Sequence, residues 1–135
     1  MSPSLQSIRE ISAHWKRAIE EGRDPPFEAI GDFLDDFRHR AVSPAERRRM
    51  IEDEPYWLAQ EHGAECNAYW AAMAESLCRE TGLPAPAWTE SPRCFLPHPW
   101  FAGGLESLKA VLLVESPAAF RRRNLFVSAN ALSRA

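Results

Sequence analysis

The chain has 135 residues, 45% of them hydrophobic and 26% charged, with a formal net charge of −3. That length holds one domain whose core needs no metal or disulfide staple, and the composition excludes a chain disordered throughout. The mildly acidic balance argues against nucleic acid as the main ligand, and no apolar run approaches the roughly 18 residues of a membrane helix, the densest being Ala110–Val114.

The opening MSPSLQSIREI lacks the basic-then-apolar order of a signal peptide. Ser2-Pro3 reads as an N-cap followed by proline at the first helical position. Leu5, Ile8, Ile11, Trp15 and Ile19 then recur at steps of three and four, one face of an amphipathic helix that runs to Glu21 and stops at Gly22. Asp24-Pro25 restarts the pattern, with Phe27, Ile30, Phe33, Leu34 and Phe37 on one side and Gly31 marking close packing or a weak spot. Ser43-Pro-Ala-Glu46 is a capping box opening a short helix through Ile51. Glu54-Pro55 begins the longest predicted helix, ending at Thr81 before Gly82. Its apolar stripe is Leu58, His62, Tyr69, Met73 and Leu77, widened by Trp57, Trp70 and Ala74. Two antiparallel helical hairpins over residues 1–82 would bury these faces.

Residues 83–104, LPAPAWTESPRCFLPHPWFAGG, carry five prolines with no period, so they are neither regular helix nor central strand. Trp88, Phe95, Trp100 and Phe101 are too apolar for a free linker, and the segment is expected as an ordered strap pinned by those aromatics. In the remainder, 105–135, a helix is expected over Leu105–Glu115 with Leu105, Leu108, Leu112 and Leu113 inward. Ser116-Pro117 caps another ending near Asn124, and Leu125-Phe126-Val127 is extended. The expected fold is all-α: a single domain of five or six helices with the proline- and aromatic-rich strap before the last two.

Cysteine supplies the sharpest metal candidate. His62 and Cys66 stand four apart on a predicted helix, Cys94 and His98 four apart in the strap, and two cysteines with two histidines complete a tetrahedral zinc site. Zinc modules bring cysteines two to four residues apart, which never happens here, so packing of Cys66 as a small hydrophobe is the plainer account. Cys66 and Cys78, twelve apart on one helix, are separated by roughly 18 Å, too far for a disulfide, and free thiols fit a reducing, cytoplasmic setting. No cofactor is implied. Asp32, Asp35 and Asp36 lie near Arg38 and Arg40 and read as a solvated face, as do Glu61, Glu65 and Glu75. There is no G-x-S-x-G elbow, P-loop or dinucleotide fingerprint. An enzyme is accordingly not expected.

Charge is uneven. Residues 105–135 carry five Lys/Arg against two Glu, +3, and the other 104 residues carry 11 against 17, −6. Arginine triplets at Arg47–Arg49 and Arg121–Arg123 are phosphate-binding types, which leaves a nucleic-acid regulator as an alternative. On a helix, however, three consecutive side chains fan over roughly 200° and make no single basic face. For the second run, plain helix C-terminal charge is the simpler account.

Pro99-Trp100-Phe101, Leu108–Leu113 and the run ESPAAFRRRNLFVSANALSRA from Glu115 resemble a family of short uncharacterised bacterial proteins that end in F-R-x-R-N-[IL]-F-V-x-x-[ND]-A-L-x-R-A. The likeness spans residues 85–135. Members of that family tend to be encoded beside nucleotidyltransferase-like proteins of toxin–antitoxin type. The resemblance therefore implies a companion or antitoxin of such an enzyme, and it brings no catalytic residues. Arginine and aromatics are the types enriched at binding hot spots, so the expected partner contacts are Arg121, Arg122, Arg123, Asn124 and Phe126. The competing expectation is that Phe120, Leu125 and Phe126 close the chain's own core.

Overall fold

The computed structural model describes residues 5–23, 28–59, 63–101, 116–127 and 132. Helix dominates, as the periodicity requires: α1 (Ile8–Glu20), α2 (Glu28–Asp35), α3 (Pro44–Ile51), α4 (Gly63–Thr81) and α5 (Ala118–Arg121), with two-residue strands β1 (Trp100–Phe101) and β2 (Leu125–Phe126). None of the described helices is long and apolar enough to cross a membrane. The residues gather into two compact units, the boundary in the chain falling between Trp57 and Leu58.

In the first unit, α1 starts later than the Ser2-Pro3 signal predicts, and those two residues lie outside the described ones. Its N-cap is Ser7, whose hydroxyl accepts the Glu10 N–H at 3.1 Å while the Glu10 carboxylate accepts the Ser7 N–H at 3.2 Å. This reciprocal box satisfies two orphan donors of the first turn. At the other end Gly22 adopts φ +76°, and the Gly22 and Arg23 N–H groups donate to Ile19 and Ala18 O, the left-handed stop that glycine permits. Ile8, Ile11, Trp15 and Ala18 are buried.

Asp24, Pro25 and Phe27 lie outside the described residues. Within α2, Gly31, Phe33 and Leu34 are buried, and a single π-helical turn, Asp36–Arg40, follows and buries Phe37. Arg47 closes that turn: its Nε donates to Phe37 O at 3.0 Å and Nη2 to Arg38 O at 3.1 Å. The Ser43 cap of α3 forms as predicted, accepting the Glu46 N–H at 3.2 Å, but the Glu46 carboxylate reaches one residue further back, to the Val42 N–H at 2.9 Å.

Glu54-Pro55 does not start a helix. Residues 54–59 are irregular. In the first unit, Glu54 O accepts from Arg9 Nη1 and the Tyr56 N–H donates to Ser12 Oγ, with the Arg9 guanidinium 4.1 Å from the Tyr56 ring centroid.

The second unit opens with Leu58, whose N–H and C=O are both bound by the Asn67 side-chain amide at 3.0 and 3.1 Å. This pins the incoming chain so tightly on α4 that a Cβ at Gly63 would stand 2.6 Å from Leu58 O. From Asn67 to Cys78 α4 is buried almost all round, the signature of a central rather than a surface helix. Four alanines, Ala68, Ala71, Ala72 and Ala74, let neighbouring backbone approach closely, around Trp70, Met73 and Leu77.

The strap is ordered and irregular, as its prolines dictate. It is built from two 3-10 turns, Ala87–Glu90 and Pro92–Cys94, that pack on α4 and bury Trp88, Thr89, Cys94 and Leu96. Trp100 departs from expectation, being 37% exposed. Phe101 stacks on Phe126 at 4.9 Å between ring centroids, across a parallel β1–β2 pair registered Trp100 to Leu125 and Phe101 to Phe126. Ser116 does not cap α5. Its hydroxyl lies 2.8 Å from both the N and the O of Val127 and so closes the far edge of β2. The helix expected over 105–115 and the residues after Val127, Leu132 excepted, lie outside the described ones.

Candidate functional site

The site predicted from the tail is the turn Arg122–Asn124 between α5 and β2. Asn124 ends the helix at φ +62°, a left-handed position that asparagine tolerates better than other side-chain-bearing residues. That reversal turns three consecutive side chains in different directions, and their fates diverge.

Arg123 points into the protein and is fully buried. Its Nη1 donates to Ala119 O at 2.7 Å, and Nη2 donates to Thr89 O at 2.9 Å and Glu75 Oε1 at 3.0 Å. Arg122 donates from Nη1 to the same Glu75 oxygen at 2.7 Å and from Nη2 to Glu90 Oε2 at 2.9 Å. Arg79, one turn along α4, supplies the third guanidinium at 3.3 Å from Glu75 Oε2. Both tail guanidinia also lie against the Phe95 ring, 5.2 and 5.1 Å from its centroid. One nearly buried carboxylate, Glu75 with a side chain 11% exposed, thus ties together α4, the strap and α5.

This corrects the expected contact set. Arg123 and Phe126 are sealed within their own unit, Phe126 being 8% exposed. The Asn124 side chain donates to Leu96 O at 2.8 Å, and its carbonyl accepts the Trp100 N–H at 2.8 Å. Arg122 is exposed but paired twice, with Glu75 and with Glu90. Arg121 stands exposed as well. The physical reason is that the strap's irregular backbone leaves the Thr89 and Leu96 carbonyls to be satisfied by side chains, and Arg123 and Asn124 supply the donors. Glu75 is corrected with them. It does not lie on a solvated face, and it is the residue that sequence reasoning missed. The signal was present: a lone carboxylate inside an apolar, alanine-rich stretch, with an arginine run elsewhere to neutralise it.

The zinc constellation does not assemble among the described residues. His62 lies outside them, Cys94 is buried with Sγ 3.6 Å from Trp88 O, and His98 is exposed. Among the described residues no group of three or more His, Cys, Asp or Glu side chains is placed to hold a metal. Burial, with Glu65 adding, pushes the Cys66 thiol up to about 11, and burial with Glu75 does the same for Cys78. Both shifts favour the neutral thiol over the nucleophilic thiolate near neutrality. In the π-helical turn, Asp36 accepts from Arg40 Nη1 at 2.9 Å. The first arginine run splits as the second does, with Arg47 turned in and Arg48 and Arg49 exposed.

What the turn leaves outside is a different group. Pro97, His98, Pro99 and Trp100 form an exposed run whose last backbone N–H is fixed on Asn124. Comparison with models of known protein families, with curated proteins and with solved structures returns no match to this chain.

Proposed function

We propose that this chain is a protein-interaction module without catalysis of its own, and that its docking face in the second unit centres on Trp100. The observation that carries this reading is the 37% exposure of Trp100 on a backbone held to Asn124 and registered on Leu125. Tryptophan and arginine carry a disproportionate share of binding energy at protein interfaces. A tryptophan already fixed at its backbone loses little freedom when a partner covers it. The prolines on either side of His98 stiffen the approach, and Arg121 stands exposed at the end of α5, just before the turn that bears Asn124. The contact set this supports is Trp100, His98 and Arg121.

For the partner, the resemblance of the tail points to a nucleotidyltransferase-like enzyme of toxin type, whose acidic metal-binding pocket would attract an arginine-bearing face. The test is co-expression with the product of the adjacent reading frame and recovery of a complex. Trp100→Ala and Arg121→Glu should each weaken association at least tenfold without changing the thermal midpoint. Absence of association of the unaltered chain at micromolar concentration would remove the proposal.

A further inference from the structure

The first unit holds a groove of about 780 Å³ that the interaction face just proposed does not use. Its walls are the N-terminal turn of α1, the end of the π-helical turn and α3. Among the described residues, four carboxylates, Glu10, Glu46, Glu52 and Asp53, and two guanidinia, Arg40 and Arg49, line it. Arg40 is already paired with Asp36 outside the lining, so among the described residues the acid excess is at least two charges. Glu10 and Glu46 are held in place because each accepts a backbone N–H at a helix start. The groove also has an apolar side. Met50 is buried in its floor, Leu5 is half-buried, and Val42 stands 82% exposed at the rim.

We infer that this groove docks a short basic segment of another protein, one aliphatic side chain set against Val42 and Leu5 and lysines or arginines against the carboxylates. Charge complementarity selects the occupant. An acidic or neutral segment would meet four carboxylates, two of them fixed, whereas a basic one meets pre-placed acceptors beside an apolar contact that water now covers. The two fixed carboxylates, Glu10 and Glu46, need little reorganisation on binding.

The probe is a fluorescein-labelled Lys/Leu dodecapeptide titrated into the full chain by anisotropy, with a Glu/Leu dodecapeptide of the same pattern as control. Binding of the Lys/Leu peptide alone is expected, weakening as salt rises. Glu52→Lys with Asp53→Lys should weaken it at least tenfold and Val42→Ser about threefold (roughly 0.65 kcal/mol by the tenfold-per-1.4 kcal/mol relation). These side chains are exposed, so the thermal midpoint should not move. Charge reversal at Glu20 and Glu28, exposed acids outside the groove lining, distinguishes docking from general attraction to an acidic chain. An equal loss from Glu20→Lys with Glu28→Lys, equal binding of the Glu/Leu peptide, or no effect of Val42→Ser would each overturn the inference.

Discussion

The two units are held by different kinds of bond. In the first, the side-chain hydrogen bonds that define the helices are mostly short-range, Ser7 with Glu10 and Ser43 with Glu46, each three residues apart. Its longer links, Arg9 to Glu54 and Ser12 to Tyr56, are exposed or half-buried. In the second unit the decisive bonds join residues 48 and 34 apart, Arg123 to Glu75 and to Thr89, and both are buried. A unit made of local caps loses about 1 kcal/mol for each cap removed, and its neighbours hold. A unit knotted through one buried carboxylate has a single point of failure, because removing that carboxylate strands a charge where water cannot reach it.

The comparison is broken most severely at Glu75. Glu75→Ala should destabilise the second unit by about 3–5 kcal/mol in urea unfolding. Hydrogen exchange should then rise across 87–101 and 118–127 while α1 and α3 keep their protection. Glu75→Leu combined with Arg123→Met should recover more than half of that loss, since two apolar groups leave no stranded charge. A loss under 1 kcal/mol would show that the carboxylate does not hold the strap.

Gly63→Ala comes next. The added methyl meets backbone, not a flexible side chain, at 2.6 Å, and the expected loss is about 1–3 kcal/mol, again read by urea unfolding. Were it neutral, the Leu58–Asn67 clasp would have to be looser than the geometry gives.

Ser7→Ala and Ser43→Ala sharpen the other side of the comparison. Each should cost about 1 kcal/mol, should add when combined, and should leave exchange in the second unit unchanged. Coupling between the two changes larger than about 0.5 kcal/mol would contradict a locally assembled first unit.

The smallest expected effect is a titration. Arg122 holds the Glu90 carboxyl below its ordinary 4.5, first through their hydrogen bond and then, with burial opposing, through the charges of Arg122 and Arg123. A carboxyl lowered in the folded state adds stability that is present above its ordinary value and lost as pH falls through the lowered one. Glu90 is largely exposed, so the gain is small. Carboxyl NMR should find its midpoint under 4.5, returning toward that value in Arg122→Ala; a midpoint at or above 4.5 in the unaltered chain would dismiss the pairing.

The same contrast separates what was legible in the sequence from what was not. Gly22 as a helix stop, the Ser43 cap, the Phe33–Leu34–Phe37 face and the irregular strap were all readable, since each depends on residues within a turn or two of one another. Ser7 with Glu10 was equally readable by that rule, but Ser2-Pro3 competed for the same role. The start of α4 was misplaced because Glu54-Pro55 carries a good local signal that a distant demand overrides. Leu58 offers both its N–H and its C=O to the Asn67 side chain, and residues 54–59 stay irregular.

The arginine run is the sharpest case. Arg121, Arg122 and Arg123 are identical in composition and adjacent in sequence, yet one is exposed, one bridges two carboxylates and one is buried. Residue type and spacing determine that this chain is helical, where its caps fall, and that residues 83–104 are neither helix nor central strand, because those follow from backbone sterics and bonds closed within a few residues. Which arginine turns inward, and that Glu75 receives it while Trp100 is left facing water, was set by packing across the folded unit. Those outcomes depend on which buried donors and acceptors come within 3 Å across dozens of residues, and no local pattern encodes that distance.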